Sequence, residues 1–335
     1  MSYSRNNSPR LVFAGGIDWS AEFLKLLLQK KYNLIGVIIP LDSQKDRGQK
    51  IRISTLKKLA LTNKLPVWQP KELSDSQFLA DFRKTKPDLV VVVAYGKLFP
   101  PAILKIPTYG FLNFHPSLLP KLRGPSPIQS ALLQGLKETG VSIMKLEEGM
   151  DDGPILEQQK MKIAPRENNQ TLTRKLIDLG KKMLPKNIDI SVGAYCHTPA
   201  FVGHTPIPQN HSEATFCHII KKEETRIDWS QDTATIIDRK IRAFTGWLKV
   251  FTFLKKNRVK RRVSLIESIG ILSEKKPRDL DLKAGYYRLI VEKDKKYLAI
   301  GTRKNILLIS QLQVEGKKII SASDFWQGYT GSHFI

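Results

Sequence analysis

A chain of 335 residues that is 41% hydrophobic and 26% charged has an ordinary globular composition and exceeds the usual size of one domain, so two domains are expected. Its 55 Lys+Arg against 31 Asp+Glu give a formal net charge of +24, far more basic than a small-metabolite enzyme requires and suggestive of a polyanionic partner. Two cysteines, Cys196 and Cys217, are too few for a disulfide framework or a four-thiolate metal site, and the longest apolar run, Leu89 to Tyr95, is far short of a membrane span.

Taken in chain order, Arg10 to Ala14 reads as a strand closed by Gly15-Gly16, and Ser20 then opens a helix with Leu24, Leu27 and Leu28 on one face. Leu34 to Ile39 is a second strand. A polar, basic segment from Asp42 to Arg52 leads into a helix from near Ser54 to near Asn63, and Val67-Trp68 makes a third strand. Ser74 is expected to open another helix, and Leu89 to Val93 is an almost purely β-branched run of the kind a parallel sheet buries on both faces. Strands at Phe111 to His115, Val141 to Leu146 and Ile155 to Ile163 follow, with a helix through Leu133 and another capped by Thr171 and reaching about Asp189. The alternation implies an α/β fold with a doubly wound, mostly parallel sheet.

From Thr198 to Ser212 three prolines and no periodicity mark a linker, followed by a helix from Thr233 to Phe244. Strand-like runs at Leu248 to Leu254, Val259 to Ile269, Tyr286 to Val291, Tyr297 to Ile300 and Ile306 to Leu312 then suggest a small OB-like β-barrel. The expected division is a catalytic domain over 1–197, a linker over 198–222 and a barrel domain over 223–335. Residues 221–335 hold 25 Lys+Arg and 13 Asp+Glu, about twice the net positive charge per residue of the rest. The cluster Lys255, Lys256, Arg258, Lys260, Arg261 and Arg262 fits a hairpin facing phosphates.

The first turn, Ala14-Gly-Gly-Ile-Asp-Trp19, lacks both G-x-G-x-x-G and a Walker sequence, so no nicotinamide, flavin or nucleotide triphosphate is expected. The stretch Asn113-Phe-His-Pro-Ser-Leu-Leu-Pro120 carries more information. On a strand, Asn113 and His115 share a face because side chains repeat every two residues, and they stand at the carboxyl end where open α/β sheets hold ligands. A carboxylate from Glu148-Gly-Met-Asp-Asp-Gly153 could join them, and chemistry alone does not choose between Asp151 and Asp152. Amide, imidazole and carboxylate together suit acyl transfer without a protein nucleophile: Asn donates to a developing oxyanion, His moves a proton near neutral pH, and Asp orients or charges that His.

The stretch Phe111 to Gly124 resembles the N-x-H-x-SLLP signature of the folate-dependent formyltransferase family. Leu65 to Pro70, Val92 to Gly96, Pro127-Ile-Gln129, Glu138 to Met144, Gly149 to Gly153 and Arg226 to Ser230 resemble the methionyl-tRNA formyltransferase branch in order along nearly the whole chain. The resemblance implies that Asn113, His115 and Asp151 are the catalytic residues, Asp151 being the first acid of its turn. It further implies a folate pocket formed by Ser117, Leu118, Leu119 and Pro120 with Val93, Ala94, Tyr95 and Gly96. The resemblance also places Arg47 and Lys50 in a basic loop that in the family enters the acceptor region of initiator methionyl-tRNA, and the co-substrate it implies is 10-formyltetrahydrofolate, with no metal. The first turn departs from the family's G-T-P-[DE]-F, Ala243-Phe-Thr-Gly-Trp247 from A-F-N-P-W, and Gly153-Pro154 from Gly-Asp.

The expected protein is thus a monomeric enzyme of the cytoplasm or an organelle matrix. One alternative is a folate-dependent formyltransferase acting on an amino-sugar nucleotide or a purine precursor, which has no reason to carry a basic barrel. Another is a noncatalytic RNA-binding protein on the same scaffold, against which the three polar residues argue. His197, His204, His211 and His218 recur every seven residues near the two cysteines, but Pro199, Pro206 and Pro208 forbid the helix that would align them as metal ligands.

Overall fold

The runs Leu11–Gly15 (β1) and Leu89–Val93 (β4) are buried along their whole lengths, which places both in the middle of a sheet covered on each face. The computed structural model describes residues 8–42, 53–193, 205–256, 259–272, 280–292 and 294–335, and the Lys256 side chain is outside that description. Among these residues the chain divides into two units. One comprises residues up to Pro127, Glu138–Met161 and Lys175–His218, and the other comprises Ile128–Lys137, Lys162–Arg174 and Ile219–Ile335.

In the first unit β1 is followed by α1 (Ser20–Gln29), β2 (Leu34–Ile38), α2 (Thr55–Thr62), β3 (Val67–Trp68) and α3 (Ser76–Lys84). After β4 come α4 (Pro101–Leu104), β5 (Phe111–His115), β6 (Glu138–Lys145), β7 (Ile155–Lys162) and, from Lys175 on, α6 (Asn169–Ser191), whereas α5 (Pro127–Gln134) lies almost wholly in the second unit. The sheet order is β3-β2-β1-β4-β5-β6-β7, parallel from β3 through β5, with β6 antiparallel to β5. Chain order reverses between β1 and β4, so the switch point of the sheet lies where Gly15 pairs with Val93.

Two helix starts differ from the sequence expectation. Asp75 rather than Ser74 caps α3, its carboxylate accepting from Phe78 N at 2.8 Å, and Asn168 rather than Thr171 precedes α6, its Oδ1 accepting from Thr171 N at 3.0 Å. In each case the side chain that reaches the free first-turn N–H groups sets the boundary.

The second unit holds α7 (Ala234–Phe244), β8 (Val250–Lys256), β9 (Val259–Leu272), β10 (Tyr287–Glu292), β11 (Lys295–Gly301), β12 (Ile306–Val314), β13 (Ile319–Ser321), α8 (Ala322–Tyr329) and β14 (His333–Phe334). The antiparallel order is β10-β11-β12-β9-β8-β14, with β13 beside β12. The sheet curls toward a barrel: Gly285, just ahead of β10, donates to Gly301 and accepts from Phe334 N of the opposite edge strand, each at 2.9 Å. Tyr287, Phe325 and Phe334 pack together inside it, and burial pushes the Tyr287 phenol up to about 12.

On α7, Asp238 is buried and gathers Arg242 Nε at 2.9 Å, Arg166 Nη1 at 2.8 Å and the Ser268 hydroxyl. Burial by itself raises this carboxyl, but the Ser268 hydroxyl and the Arg242 and Arg166 guanidinium groups outweigh it and hold the group below the ordinary carboxylate value.

Candidate active site

The carboxyl ends of β1, β4 and β5 lie side by side, since Gly15 pairs with Val93 and Val93 with Phe114. On β5, Leu112 and Phe114 face the core, where Phe114 packs on Phe23 and on the edge of Trp19. Asn113 and His115 therefore project together from the other face, as the period of two requires. Both are buried, at 7% and 4% exposure.

Asp151 comes to them from the turn between β6 and β7. The Asn113 Nδ2 donates to its Oδ1 at 3.3 Å, and its Oδ2 lies 3.6 Å from His115 Nδ1. A carboxylate only accepts, so the amide nitrogen of Asn113 must face it, leaving that nitrogen's second hydrogen for another acceptor. The backbone N–H of Gly124 donates to Asp151 Oδ2 at 2.8 Å. Gly124 sits at φ 112°, and a Cβ there would stand 2.3 Å from the carbonyl oxygen of Cys217, so only glycine presents this N–H in this place. Asp151 itself is left-handed at φ 49°, a conformation Asp tolerates better than most residues.

His115 Nε2 lies 3.0 Å from the carbonyl oxygen of Leu122. A carbonyl cannot donate, so Nε2 carries the hydrogen and Nδ1 is left facing Asp151 as the nitrogen at which a proton can arrive or leave. The loop that supplies this carbonyl is internally tied. Ser142 Oγ donates to Ser117 O at 2.7 Å, Ser117 Oγ donates to Lys121 O at 2.6 Å, and Gln158 Nε2 donates to Leu119 O at 3.0 Å. The peptide between Leu119 and Pro120 is cis. Ser117 and Leu119 are buried, whereas Leu118 and Pro120 are part-exposed, so the Ser117 hydroxyl serves the loop itself.

Beyond β4, Ala94 (φ 51°) and Gly96 (φ 83°) turn the chain in left-handed conformations. Gly16 of the first turn lies against this bend: a Cβ on it would meet Tyr95 O at 2.7 Å and Ala94 O at 2.9 Å. The second glycine of a turn without a phosphate-loop sequence is thus accounted for by close backbone approach. Val93 and Tyr95 are buried, and the Tyr95 hydroxyl finds no hydrogen-bond partner among the described residues. Burial pushes that phenol up to about 12.

In the second unit, Phe251, Phe253 and Lys255 alternate on the outward face of β8, opposite Ser264, Arg262 and Lys260 of β9. Lys260 Nζ lies 4.2 Å from the Phe253 ring centre, Arg262 Cζ 3.7 Å from that of Phe251, and Arg226 Cζ 5.6 Å from that of Phe253. Arg261 pairs across to the buried Leu254 and is itself exposed. The hairpin is where the basic cluster suggests, but Phe251 and Phe253 are not among the sequence candidates and Arg226 enters there only as the start of the Arg226–Ser230 stretch; the F-x-F alternation is the available signal. Arg47, Lys50, Arg258 and the Lys256 side chain lie outside the described residues, as do Cys196, His197 and His204.

Comparison with known proteins adds the family. The description "Formyl transferase" matches residues 10–188 and "Formyl transferase, C-terminal domain" matches 219–330. The methionyl-tRNA formyltransferase of Idiomarina loihiensis is 37% identical over 324 residues, 96% of each chain, and that of Kosmotoga olearia is 37% identical over 323 residues, again 96% of each.

The chain belongs to the methionyl-tRNA formyltransferase family. It is accordingly an enzyme of the formyltransferase type. Among solved structures, the sugar 3N-formyl transferase WlaRD, determined with dTDP and 5-N-formyl-THF, shares the fold at TM-score 0.59 and 18% identity, over 93% of this chain and 100% of that one. HypX from Aquifex aeolicus in complex with tetrahydrofolic acid does so at TM-score 0.58 and 16% identity, over 96% of this chain and 47% of that one. In this methionyl-tRNA formyltransferase family member no helix among the described residues is long and apolar enough to cross a membrane.

Proposed function

We propose that this protein transfers the formyl group of 10-formyltetrahydrofolate to the α-amino group of methionyl-initiator tRNA, acting as a monomer by direct attack of the amine. The observation that carries the reading is the meeting of Asn113, His115 and Asp151 at the carboxyl ends of the central strands. Family membership supports the substrates.

The residues fit a folate. The buried Tyr95 hydroxyl has no partner among the described residues, and open space lies above Gly96, so the Val93–Gly96 bend and the Ser117–Pro120 loop can form the walls that hold it. Bound there, the folate supplies an activated one-carbon unit.

In the reaction a C–N bond forms to the methionyl nitrogen, the C–N10 bond breaks, and one proton passes from the amine to N10. An α-amino group titrates near ~7.7–8.0, so a useful fraction is already nucleophilic at neutral pH. Asn113 Nδ2, with its second hydrogen, and His115, protonated at Nδ1, donate to the charge that develops on the formyl oxygen. Asp151 fixes both donors and relays the amine proton to N10, so that it ends the reaction ionised as it began. No serine or cysteine nucleophile is required. The Arg47 and Lys50 loop contacts the acceptor end, while Lys255, Lys256, Arg258, Lys260, Arg261 and Arg262 engage phosphates along the tRNA.

The test supplies the formyl donor with charged initiator tRNA, charged elongator tRNA or a nucleotide-linked amino sugar. Formylation of the initiator alone supports the reading. Formylation of the sugar in its place assigns the chain to another substrate, and no formylation of any acceptor refutes catalysis.

A further inference from the structure

Residues 205–218, which include two of the prolines that suggested a linker, meet the rest of the first unit at two isolated bridges, Arg123 with Phe216 and Ile155 with Ile207. Arg123 N donates to Thr215 O at 2.9 Å, Cys217 N donates to Arg123 O at 2.8 Å, and Ile155 and Ile207 exchange backbone bonds of 2.9 and 2.8 Å. One side chain of this strap reaches the turn that carries Asp151. Gln209 is buried, and its Nε2 spends both hydrogens on that turn, donating to Asp151 O at 2.9 Å and Gly153 O at 2.7 Å. Its Oε1 accepts from both Nε and Nη2 of Arg123, at 3.0 and 2.8 Å.

Arg123 is 3% exposed, yet its guanidinium meets no carboxylate among the described residues: its side-chain partners are Gln209, and His211 with Nδ1 3.3 Å from Nη1. Burying a cation against an amide instead of a carboxylate is unfavourable unless the rigid fork fixes something of use. What it fixes is legible from the bonding. Arg123 precedes Gly124, whose N–H holds the Asp151 carboxylate, and Gln209 holds the Asp151 backbone. A closed ring, Asp151–Gln209–Arg123–Gly124–Asp151, therefore clamps the left-handed aspartate at both ends.

We infer that Gln209 is a positioning residue for the reaction, acting through Asp151 and on no substrate directly. This rests on the catalytic role proposed for Asp151. It assigns to Gln209 a role that its place in a proline-rich connection does not suggest.

The test is a double-mutant cycle in the full-length protein, read by single-turnover formylation of methionyl-tRNA and by KM for both substrates. Gln209→Ala is expected to slow the single-turnover rate about 10- to 100-fold through misplacement of Asp151, with each KM within about twofold of wild type. In an Asp151→Asn background the same substitution should change the rate by no more than about twofold. Gln209→Glu keeps the acceptor for Arg123 and loses both donors to the turn. It should be as slow as Gln209→Ala while unfolding closer to the wild-type temperature, which separates misplacement from loss of folding. Equal losses in both backgrounds, a loss confined to KM, or a wild-type rate for Gln209→Glu would each overturn the inference. A wild-type rate for Asp151→Asn alone would instead remove the catalytic assignment on which it stands.

Discussion

The Nε2 of His115 is committed to the carbonyl oxygen of Leu122, 3.0 Å away, and this decides which face of the imidazole can act on a substrate. An asparagine at this position can place its amide near Nδ1, and a glutamine near Nε2. His115→Gln should therefore keep the loop contact but lose about 100-fold or more in rate, in the range typical of a removed general acid–base group. His115→Asn should retain about ten times the rate of His115→Gln, because a donor still faces the reacting centre. Single-turnover rates of the two variants check this, and the reverse ranking would put the working proton on the other nitrogen.

Tyr95 gives a prediction with opposite signs for stability and binding. Its buried hydroxyl has no partner among the described residues, so Tyr95→Phe should leave the ligand-free protein as stable as wild type or up to about 1 kcal/mol more stable. If the hydroxyl serves the folate, KM for the formyl donor rises several-fold in the same variant. Because burial pushes the phenol up to about 12, the neutral form is favoured by folding. The resulting contribution is intact below the unfolded value near ~10 and is lost as pH climbs toward the folded one, a titration visible in phenolate absorbance.

In the second unit, Asp238 ties Arg166 and Arg242 to the body of the sheet through Ser268. Asp238→Asn leaves both guanidinium groups without their charge partner and should cost about 3 kcal/mol. The folded carboxyl is held below its ordinary value, so its contribution is complete above the unfolded value of ~3.9 and is lost as pH falls through the folded one. Denaturant unfolding of wild type and variant should consequently differ at pH 7 and begin to converge only as pH falls below ~3.9 and on through the folded value.

Lys260 and Arg262 are held over Phe253 and Phe251, and neither forms an ion pair among the described residues. A guanidinium or ammonium pinned by a ring keeps its outer hydrogens for phosphate. Replacing both by alanine should weaken tRNA binding and flatten its salt dependence by about 0.7 to 0.9 in log–log slope per cation removed, without altering the single-turnover rate at saturating tRNA. An unchanged slope, measured from 50 to 200 mM salt, would remove this face from the tRNA interface.

Legibility of the molecule in its sequence followed the range of the interactions. The β-branched run Leu89–Val93 declared a buried parallel strand, and the spacing of Asn113 and His115 placed them on one face, because both signals repeat within a few residues. Short elements such as α4, β13 and β14 carry too few periods to be read and went unnoticed. The choice between Asp151 and Asp152 could not be made from composition, since it depends on a left-handed turn and on an N–H donated by Gly124. The contributions of Leu122, Gly124 and Gln209 were equally hidden. The first two act through backbone atoms that every residue possesses, and the third reaches Asp151 from 58 positions away in the chain.

The central claim is that Asn113, His115 and Asp151 stabilise one reacting centre, and single-turnover formylation of methionyl-initiator tRNA by Asn113→Ala and Asp151→Ala tests it most directly. With native-like unfolding and undiminished tRNA binding, each variant should be slower by at least about 100-fold, the loss expected when an oxyanion donor or its fixing group is removed. A rate within about threefold of wild type in either variant would contradict the claim.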